Sequence, residues 1–587
     1  MSNEFSTRLK LFRKKEGLSQ KDLADELGVG KITVLRWENG TSKPSILSAE
    51  KLTQIGFGKI NREDTNHDSI PRLTLNDSDE LNLRDAISKT IKINNKNLNF
   101  EPSPYVINGP ENQVEFFKKL FAIQEKSTLS TSKNDYLRRL SSIAFVDNKS
   151  TAQYDLENPK PTAKHWNPNY GPHGWHRYVG RFPPHLVRAL INSYASKKGS
   201  VICDPFAGSG TTLVESRLLG MRAIGIEVCP LSALISRTKS QFPSDTIELE
   251  LIFDELFEFY TDKWNSFVGN RSIKDISHEE IVSRQGNDVP VFPNYKKWFN
   301  PEALLGTSIV VEYAKNKDGY LQDFICCALS SSMRSIGNLD VDVVRAEYRK
   351  TPRIDVDVIK LVLRVLRKMV LGIKNSTKSH EGILSSAKDV KVIESSILET
   401  KIDMGSVDHI ITSPPYGVEA TSYLRTHLLS YRAIQSILDY DPYYFNEKII
   451  GSEYVLENDV SSNFDHIFDE SKTLEKFYSS SLPKDLTKKL IVRKNMMLKF
   501  FSDMFDVAMK FKYWIKKGGK VAFVIGNKKI GDFIIPTDQI IIELFKVNGF
   551  ILENSINHKL KCNNSNSQVP WQEKIIQEEY ILQFKKG

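Results

Sequence analysis

Apolar residues along this chain come in two arrangements. Short apolar runs, bounded by Gly, Pro, Asn or Asp, occur at 201–203, 223–226, 391–393, 409–412, 518–527, 550–554 and 580–584. Longer stretches space their apolar residues three and four apart, at 185–194, 211–219, 358–373, 423–438, 493–514 and 535–547. The runs predict buried strands, because a parallel sheet covered on both faces needs no polar alternation. The spaced stretches predict helices with one inward face. In the helix expected from 358, Val358, Val362, Val365, Leu366, Met369, Val370 and Ile373 form a core stripe. Strand, helix and strand follow one another over 201–226, the βαβ unit of parallel sheets. The last run suits a closing antiparallel strand. Residues 238–388, between the two β regions, read as helical, and Asn300-Pro301 is a capped helix start. The segment 439–484 reads as irregular. The expected architecture is α/β, a Rossmann-like sheet with large, mostly helical insertions and a small all-α domain in front.

That small domain occupies 6–57, read as four or five short helices. Ser19 and Asp22 form a capping-box variant, and Leu23, Ala24 and Leu27 make one apolar face. Gly28-Val29-Gly30 is a tight turn before a helix at 31–39. Ile32, Leu35 and Val34 are expected to face inward there, leaving Lys31, Thr33 and Arg36 outside. A further helix is expected at 46–55 after Pro44. Helix, tight turn and helix make the helix-turn-helix plan. Leu18-Ser-Gln-Lys-Asp-Leu-Ala24, Trp37-Glu-Asn-Gly40 and Pro44 resemble the Xre/Cro-type repressor domain. The resemblance implies DNA contacts from Gln20, Lys31, Thr33 and Arg36. A helical docking module is the blander alternative. Residues 59–76 read as a polar linker, and 114–124 and 134–144 as helices without assigned chemistry.

Composition narrows the partners only slightly. The 587 residues carry a net charge of +9, compatible with a nucleic-acid partner but not demanding one. Five cysteines lie at 203, 229, 326, 327 and 562 with no Cys-x-x-Cys pair. A zinc site or disulfide framework is not expected, and a reducing cytoplasm fits. The opening residues lack a signal pattern. The apolar stretch at 356–373 is broken by Lys360, Arg364, Arg367 and Lys368, so it cannot span a bilayer.

Candidate chemistry sits in two loops. Asp204-Pro-Phe-Ala-Gly-Ser-Gly-Thr-Thr212 follows a strand and opens a helix. Its glycines allow a ligand close to the backbone. A phosphate is disfavoured, because Asp204 would repel it. An amino-acid ammonium would be welcome there, which points to S-adenosyl-L-methionine rather than a dinucleotide. Glu227, ending the next strand, suits ribose hydroxyls. The second loop, Ser413-Pro-Pro-Tyr416, follows the strand ending at Thr412 and is stiffened by two prolines. Ser413 Oγ and the Pro414 carbonyl can accept from an exocyclic amino group, and Tyr416 can stack on a flipped base. Lys528 and Lys529 follow a strand end, where ligands of parallel sheets gather.

The two loops together resemble the DNA amino-methyltransferases, the N4-cytosine and N6-adenine enzymes. His176-Arg-Tyr-Val-Gly-Arg-Phe-Pro-Pro184 is similar to that family's segment around the methionine part of the cofactor. The resemblance implies a seven-stranded methyltransferase sheet with its last strand pair antiparallel. It implies cofactor contacts from Asp204, Phe206, Ala207, Gly208, Ser209, Gly210, Thr211, Thr212, Glu227, His176, Tyr178 and Phe182. It implies a base held by Ser413, Pro414, Pro415 and Tyr416. Serine first in the loop leans toward cytosine N4. Two features depart from the family's pattern: the long insertion before Lys391, and Ile393-Glu-Ser-Ser-Ile397, which lacks an aspartate for the adenine ring. Glu394 or Ser395 are the substitutes considered. Cytosine C5 chemistry is set aside, because none of the five cysteines follows a proline.

The expected partition is a helix-turn-helix domain at 1–58, a linker and ancillary helical region at 59–160, and a cofactor-binding part at 161–237. A helical insertion and candidate target-recognition segment follows at 238–390, then a catalytic part at 391–587 with a second insertion at 418–510. The partner expected is double-stranded DNA, with no membrane. A homodimer and a separately encoded restriction endonuclease are compatible with this reading. RNA base methylation, and a transcription regulator with a non-catalytic methyltransferase fold, are the alternatives.

Overall fold

The computed structural model describes residues 2–39 except Gly28 and Gly30, single positions between 44 and 57, two short strands within 144–151, and most of 169–587. Within that last stretch, residues 195–198, 341–345, 380–389, 418–422, 440–447, 453–463, 465, 482–487, 531–532 and 560–577 are outside the description. So are the linker expected at 59–76, the helix expected at 114–124 and, single positions apart, those expected at 46–55 and 134–144. The chain falls into two compact units, Met1–Glu101 and Pro102–Gly587.

In the first unit, α1 is Ser2–Lys15, α2 Gln20–Leu27 and α3 Lys31–Glu38. The capping box at α2 is reciprocal: the Asp22 amide donates to Ser19 Oγ at 3.1 Å, and the Ser19 amide to Asp22 Oδ2 at 3.0 Å. Phe5, Leu9, Leu23, Ala24, Leu27, Val34 and Trp37 make the core. The inward face expected of α3 needs correcting. Ile32 is 65% exposed and Leu35 39%, whereas Val34, Trp37 and Glu38 are buried. Positions 34, 37 and 38 share one side of a helix, and 32 and 35 cannot lie there with them. Glu38 completes that side by accepting from Arg13 Nε at 2.5 Å and Gln20 Nε2 at 2.7 Å.

In the second unit a seven-stranded sheet is built from β1 Val201–Asp204, β2 Arg222–Glu227, β3 Val390–Glu394, β4 Val407–Thr412, β5 Ile515–Gly526, β6 Phe550–Lys559 and β7 Glu578–Lys586. Their spatial order is β6-β7-β5-β4-β1-β2-β3. The pairs β1/β2, β1/β4, β2/β3 and β4/β5 are parallel. β7 runs antiparallel to both neighbours, β5 and β6. All seven runs expected to be strands are strands. Ile202, Cys203, Ile410, Ile411, Val521, Phe523, Ile581 and Leu582 are buried, as a sheet covered on both faces requires.

Helices α4 Pro184–Ser193, α5 Thr211–Leu218 and α6 Pro230–Ser240 flank the sheet. The insertion before β3 is helical, with α7 Ile247–Val268, α8 Pro301–Lys315, α9 Gly319–Ile336 and α10 Val358–Ser379. Asn300 caps α8 by accepting from the Ala303 amide at 2.7 Å. Val358, Val362, Leu366, Met369, Val370 and Ile373 of α10 are buried in one cluster with α8 and α9. After β4, α11 is Tyr423–Ala433, kinked at His427, and α12 is the long Lys488–Trp514. Short helices at Ile467–Glu470 and Lys472–Lys476 and a π-turn at Phe477–Ser481 correct the irregular reading of that stretch. There, Ser471 caps by accepting from the Leu474 amide at 3.1 Å. α13, Thr537–Val547, connects β5 to β6. Among the described residues, no helix is long and apolar enough to cross a membrane.

Candidate functional site

The two loops singled out from the sequence leave the same edge of the sheet, at the carboxyl ends of β1 and β4. These are neighbours (Cys203 pairs with Ile410), and strand order reverses between them. Such switch points are where open α/β sheets hold ligands. Thr412 Oγ1 donates to Asp204 Oδ1 at 2.6 Å, Thr212 Oγ1 to Oδ2 at 2.6 Å, and the Phe206 amide to Oδ1 at 3.1 Å. One buried carboxylate thus ties the β1 loop, the first turn of α5 and the end of β4. Burial pushes its pKa up to about 6, against the pull of those three donors.

The glycine loop turns through two left-handed residues, Gly208 at φ 53° and Gly210 at φ 80°. A Cβ on Gly210 would lie 2.6 Å from Ser236 Oγ of α6, so α6 packs where only glycine fits. The Gly210 amide closes the turn on the Ala207 carbonyl at 2.8 Å, and the Ala207 amide donates to the Ile226 carbonyl at 3.0 Å. Glu227 sits at the end of β2. Its Oε2 accepts from the Gly208 amide and its Oε1 from the Cys229 amide, both at 2.8 Å. Desolvation pushes Glu227 up to about 7; the two amides oppose this and the Asp204 charge adds to it. Ser209 Oγ is buried without a hydrogen-bond partner among the described residues. Phe206 is half-buried, and Thr211 and Thr212 are buried.

The segment preceding α4 folds over this loop. The Tyr178 ring lies 3.8 Å from where a Gly208 Cβ would be, and its hydroxyl is 2.8 Å from Ser232 Oγ. His427, at the kink of α11, stacks on Tyr178 with ring centres 4.9 Å apart. His176 is turned elsewhere: its Nε2 meets Ser330 Oγ of α9 and its Nδ1 the Arg177 carbonyl, both at 2.8 Å. Phe182 packs against the apolar cluster that includes Leu186, Ile411 and Ala522. A fully buried group pins the segment from beneath. Glu215 accepts from Tyr170 and His173 at 2.7 Å and from Arg188. Burial would raise the Glu215 pKa, but the Arg188 charge and the His173 and Tyr170 bonds outweigh it and hold it down to about 2. Losing one partner of such a buried pair costs about 3–5 kcal/mol.

In the second loop, Pro414 is buried while Ser413, Pro415 and Tyr416 remain partly open. The Tyr416 ring packs on the apolar cluster shared by α12 and β5. Its hydroxyl lies 3.0 Å from Ser413 Oγ and donates to Glu579 Oε1 of β7 at 2.9 Å. Of the adenine-ring candidates, Glu394 is exposed and pairs with Arg237 at 3.1 Å, while the Ser395 amide bonds the Glu227 carbonyl at 3.0 Å. Lys528 follows β5 at the same sheet edge as both loops, and Lys529, whose side chain lies outside the described residues, opens the short pairing of Lys529–Ile530 with Phe533–Ile534. In the head, Gln20 is spent on Glu38, Thr33 is half-buried and Arg36 is exposed. The Lys31 side chain lies outside the described residues.

Three participants went unread in the sequence: the Thr412 hydroxyl, His427 and Glu579. Thr412 stood inside the loop motif and could have been noticed as a hydroxyl facing a neighbouring strand end. His427 and Glu579 carry no local signal. A second concavity, about 390 Å³, lies in the insertion and is lined by Lys296, Lys297, Trp298, Asn338, Tyr348 and Arg353. Among the described residues, no group of three or more His, Cys, Asp or Glu is placed to hold a metal.

A DNA methylase family model matches residues 47–230, and a helix-turn-helix model matches 9–55. The Type II methyltransferase M.BsoBI of Geobacillus stearothermophilus is 26% identical over 452 residues, 70% of this chain and 85% of that protein. The Type II methyltransferase M.MvaI of Kocuria varians is 25% identical over 402 residues, 64% of this chain and 81% of its own. A tRNA (guanine(10)-N2)-dimethyltransferase of Methanothermobacter thermautotrophicus is 39% identical over only 51 residues, 9% of this chain and 15% of that protein.

Proposed function

We propose, given that this chain belongs to the DNA amino-methyltransferases and carries a helix-turn-helix domain, that it methylates an exocyclic amino nitrogen in duplex DNA, cytosine N4 ahead of adenine N6. The observation that carries this reading is the Thr412–Asp204 hydrogen bond, 2.6 Å, which joins the cofactor loop to the base loop. Chemistry between two ligands needs them within reach of one another, and a shared carboxylate fixes that relation before either binds.

The methyl donor is S-adenosyl-L-methionine, which supplies an activated methyl group on sulfur. The residues fit it. Glu227 has both oxygens anchored by amides and retains lone pairs for ribose hydroxyls. Ser209 Oγ, a buried hydroxyl with no partner among the described residues, can bond a ligand. The left-handed Gly208 keeps the backbone bare beneath Tyr178. Asp204, whose oxygens accept from two threonines, adds negative potential on the side where an ammonium would sit. Ser413 Oγ and the Pro414 carbonyl accept from the target amino group and turn its lone pair toward the donor. Tyr416 offers its ring to the unstacked base, and the stiff prolines limit the entropy lost on ordering. No strong base is required, because the amino nitrogen can shed a proton after transfer.

DNA contacts would come from Arg36 and Lys31 in the head, from Lys528 and Lys529 beside the loops, and from the cleft around Lys297, Tyr348 and Arg353. Cations beside aromatic rings suit a nucleic-acid strand. The role that fits a Type II relative is protection of host DNA in the cytoplasm, with the nuclease encoded separately. Methylome sequencing of a host expressing the protein tests the reading directly. N4-methylcytosine within one short sequence is the expected result. Modified adenine would correct the base, and unmodified DNA alongside methylated tRNA would replace the reading with the RNA alternative.

A further inference from the structure

The Tyr416 hydroxyl carries one hydrogen, and that hydrogen is given to Glu579 Oε1 at 2.9 Å. Ser413 Oγ lies 3.0 Å from the same Tyr416 oxygen. With the phenol hydrogen already spent, the serine must be the donor in that second bond. Its own hydrogen then points at Tyr416, and its remaining lone pairs face away. An exocyclic amino group presents only hydrogens to a nearby acceptor, so a serine aiming its hydrogen at the base would oppose binding. A hydroxyl left alone rotates between the two states.

We propose that Glu579 is a positioning residue that fixes this polarity: by accepting from Tyr416, it makes Ser413 an acceptor for the amino group of the target base. The device spans 163 residues of sequence and joins the start of β7 to the loop after β4. Glu579 pairs with Gly526 at the end of β5, so the antiparallel strand delivers its carboxylate to the sheet edge that carries both loops. Glu579 is half-buried, which shields the chain of bonds from competing water. The inference rests on the base-methylation reading above.

The test uses the full chain and a duplex carrying its methylation site. Methyl transfer is measured for wild type, Glu579→Ala, Glu579→Gln, Tyr416→Phe and the double variant Tyr416→Phe/Glu579→Ala. Glu579→Ala should lower kcat on the order of tenfold, with the dissociation constant of S-adenosylhomocysteine and the melting temperature unchanged. Glu579→Gln should recover most of the rate, because its carbonyl accepts the same bond. In the Tyr416→Phe background, Glu579→Ala should cost less than about twofold. Equal losses from Glu579→Ala in both backgrounds would overturn the proposal, as would a Glu579→Gln variant no better than alanine. A wild-type chain that methylates no duplex would sink the functional reading instead. The tyrosine ring-carbon NMR signal lost in Tyr416→Phe then still decides the chain of bonds: it must shift in Glu579→Ala, and an unmoved signal rejects the proposal.

Discussion

The glycine loop at 204–212 and the proline loop at 413–416, the proposed cofactor loop and base loop, sit side by side, yet they are held in opposite ways. The turn of the cofactor loop is set mainly within a short stretch of chain, by Asp204, Gly208, Gly210, Thr212, Glu227 and Ser236. The base loop takes its orientation from a distance, through Asp204 at one end and Glu579 at the other. A locally built site depends on its βαβ unit, whereas a remotely braced one depends on the whole sheet. Cofactor binding and base chemistry should therefore fail separately when different parts of the molecule are disturbed.

Ser413→Ala combined with Tyr416→Ala removes both the acceptor and the stacking face. Methylation should drop by at least about a hundredfold, while the head still retards a duplex in a gel-shift assay. Unchanged methylation would mean that the base loop is misassigned. Asp204→Ala should damage both loops at once, since it strands the Thr212 and Thr412 hydroxyls. Denaturant unfolding should show a loss of about 2 kcal/mol, with cofactor binding and turnover falling together. Gly210→Ala should strike the cofactor loop alone. The left-handed backbone and the clash with Ser236 Oγ should cost about 1–3 kcal/mol, and calorimetry should show weakened cofactor binding.

The smallest expected effect is one of pH. Burial raises Glu227 to about 7, so its proton-linked contribution to stability is fully present below the ordinary value of 4.5 and lost as pH rises through 7. Ribose hydroxyls prefer the ionised carboxylate, so binding should release a proton. Affinity for S-adenosylhomocysteine should therefore strengthen by up to about tenfold per pH unit below 7 and level off above it. Glu227→Gln should flatten that profile; a profile that is already flat in the wild type would argue that Glu227 does not meet the ligand.

The same local-versus-remote division governs what the sequence could tell. The strands were legible because a doubly covered sheet writes itself as apolar runs, and the cofactor loop because its motif spans Asp204 to Thr212. The inner side of α3 was misread because an eight-residue helix with Ile32, Val34 and Leu35 offers two apolar stripes. Nothing local says which of them meets α1 and α2; the buried Glu38 decided it by pairing with Arg13. Glu579 was invisible for another reason. It is one acid in a Glu578-Glu579-Tyr580 stretch, and its neighbours are set by pairing with β5, far upstream. His427 likewise matters only because the kink in α11 sets its ring on Tyr178.

β7 is last in sequence among the sheet strands but lies between β5 and β6 in space. A ribosome releases the chain in order, so β5 and β6 both emerge before the strand that fills the place between them. Between Gly526 and Glu578 lie some tens of residues, or on the order of several seconds of synthesis. During that interval the β5 edge stands open to unwanted partners. The loop proposed to hold the methyl donor, complete by Glu227, should thus be able to fold well before Glu579 arrives to brace the loop at 413–416.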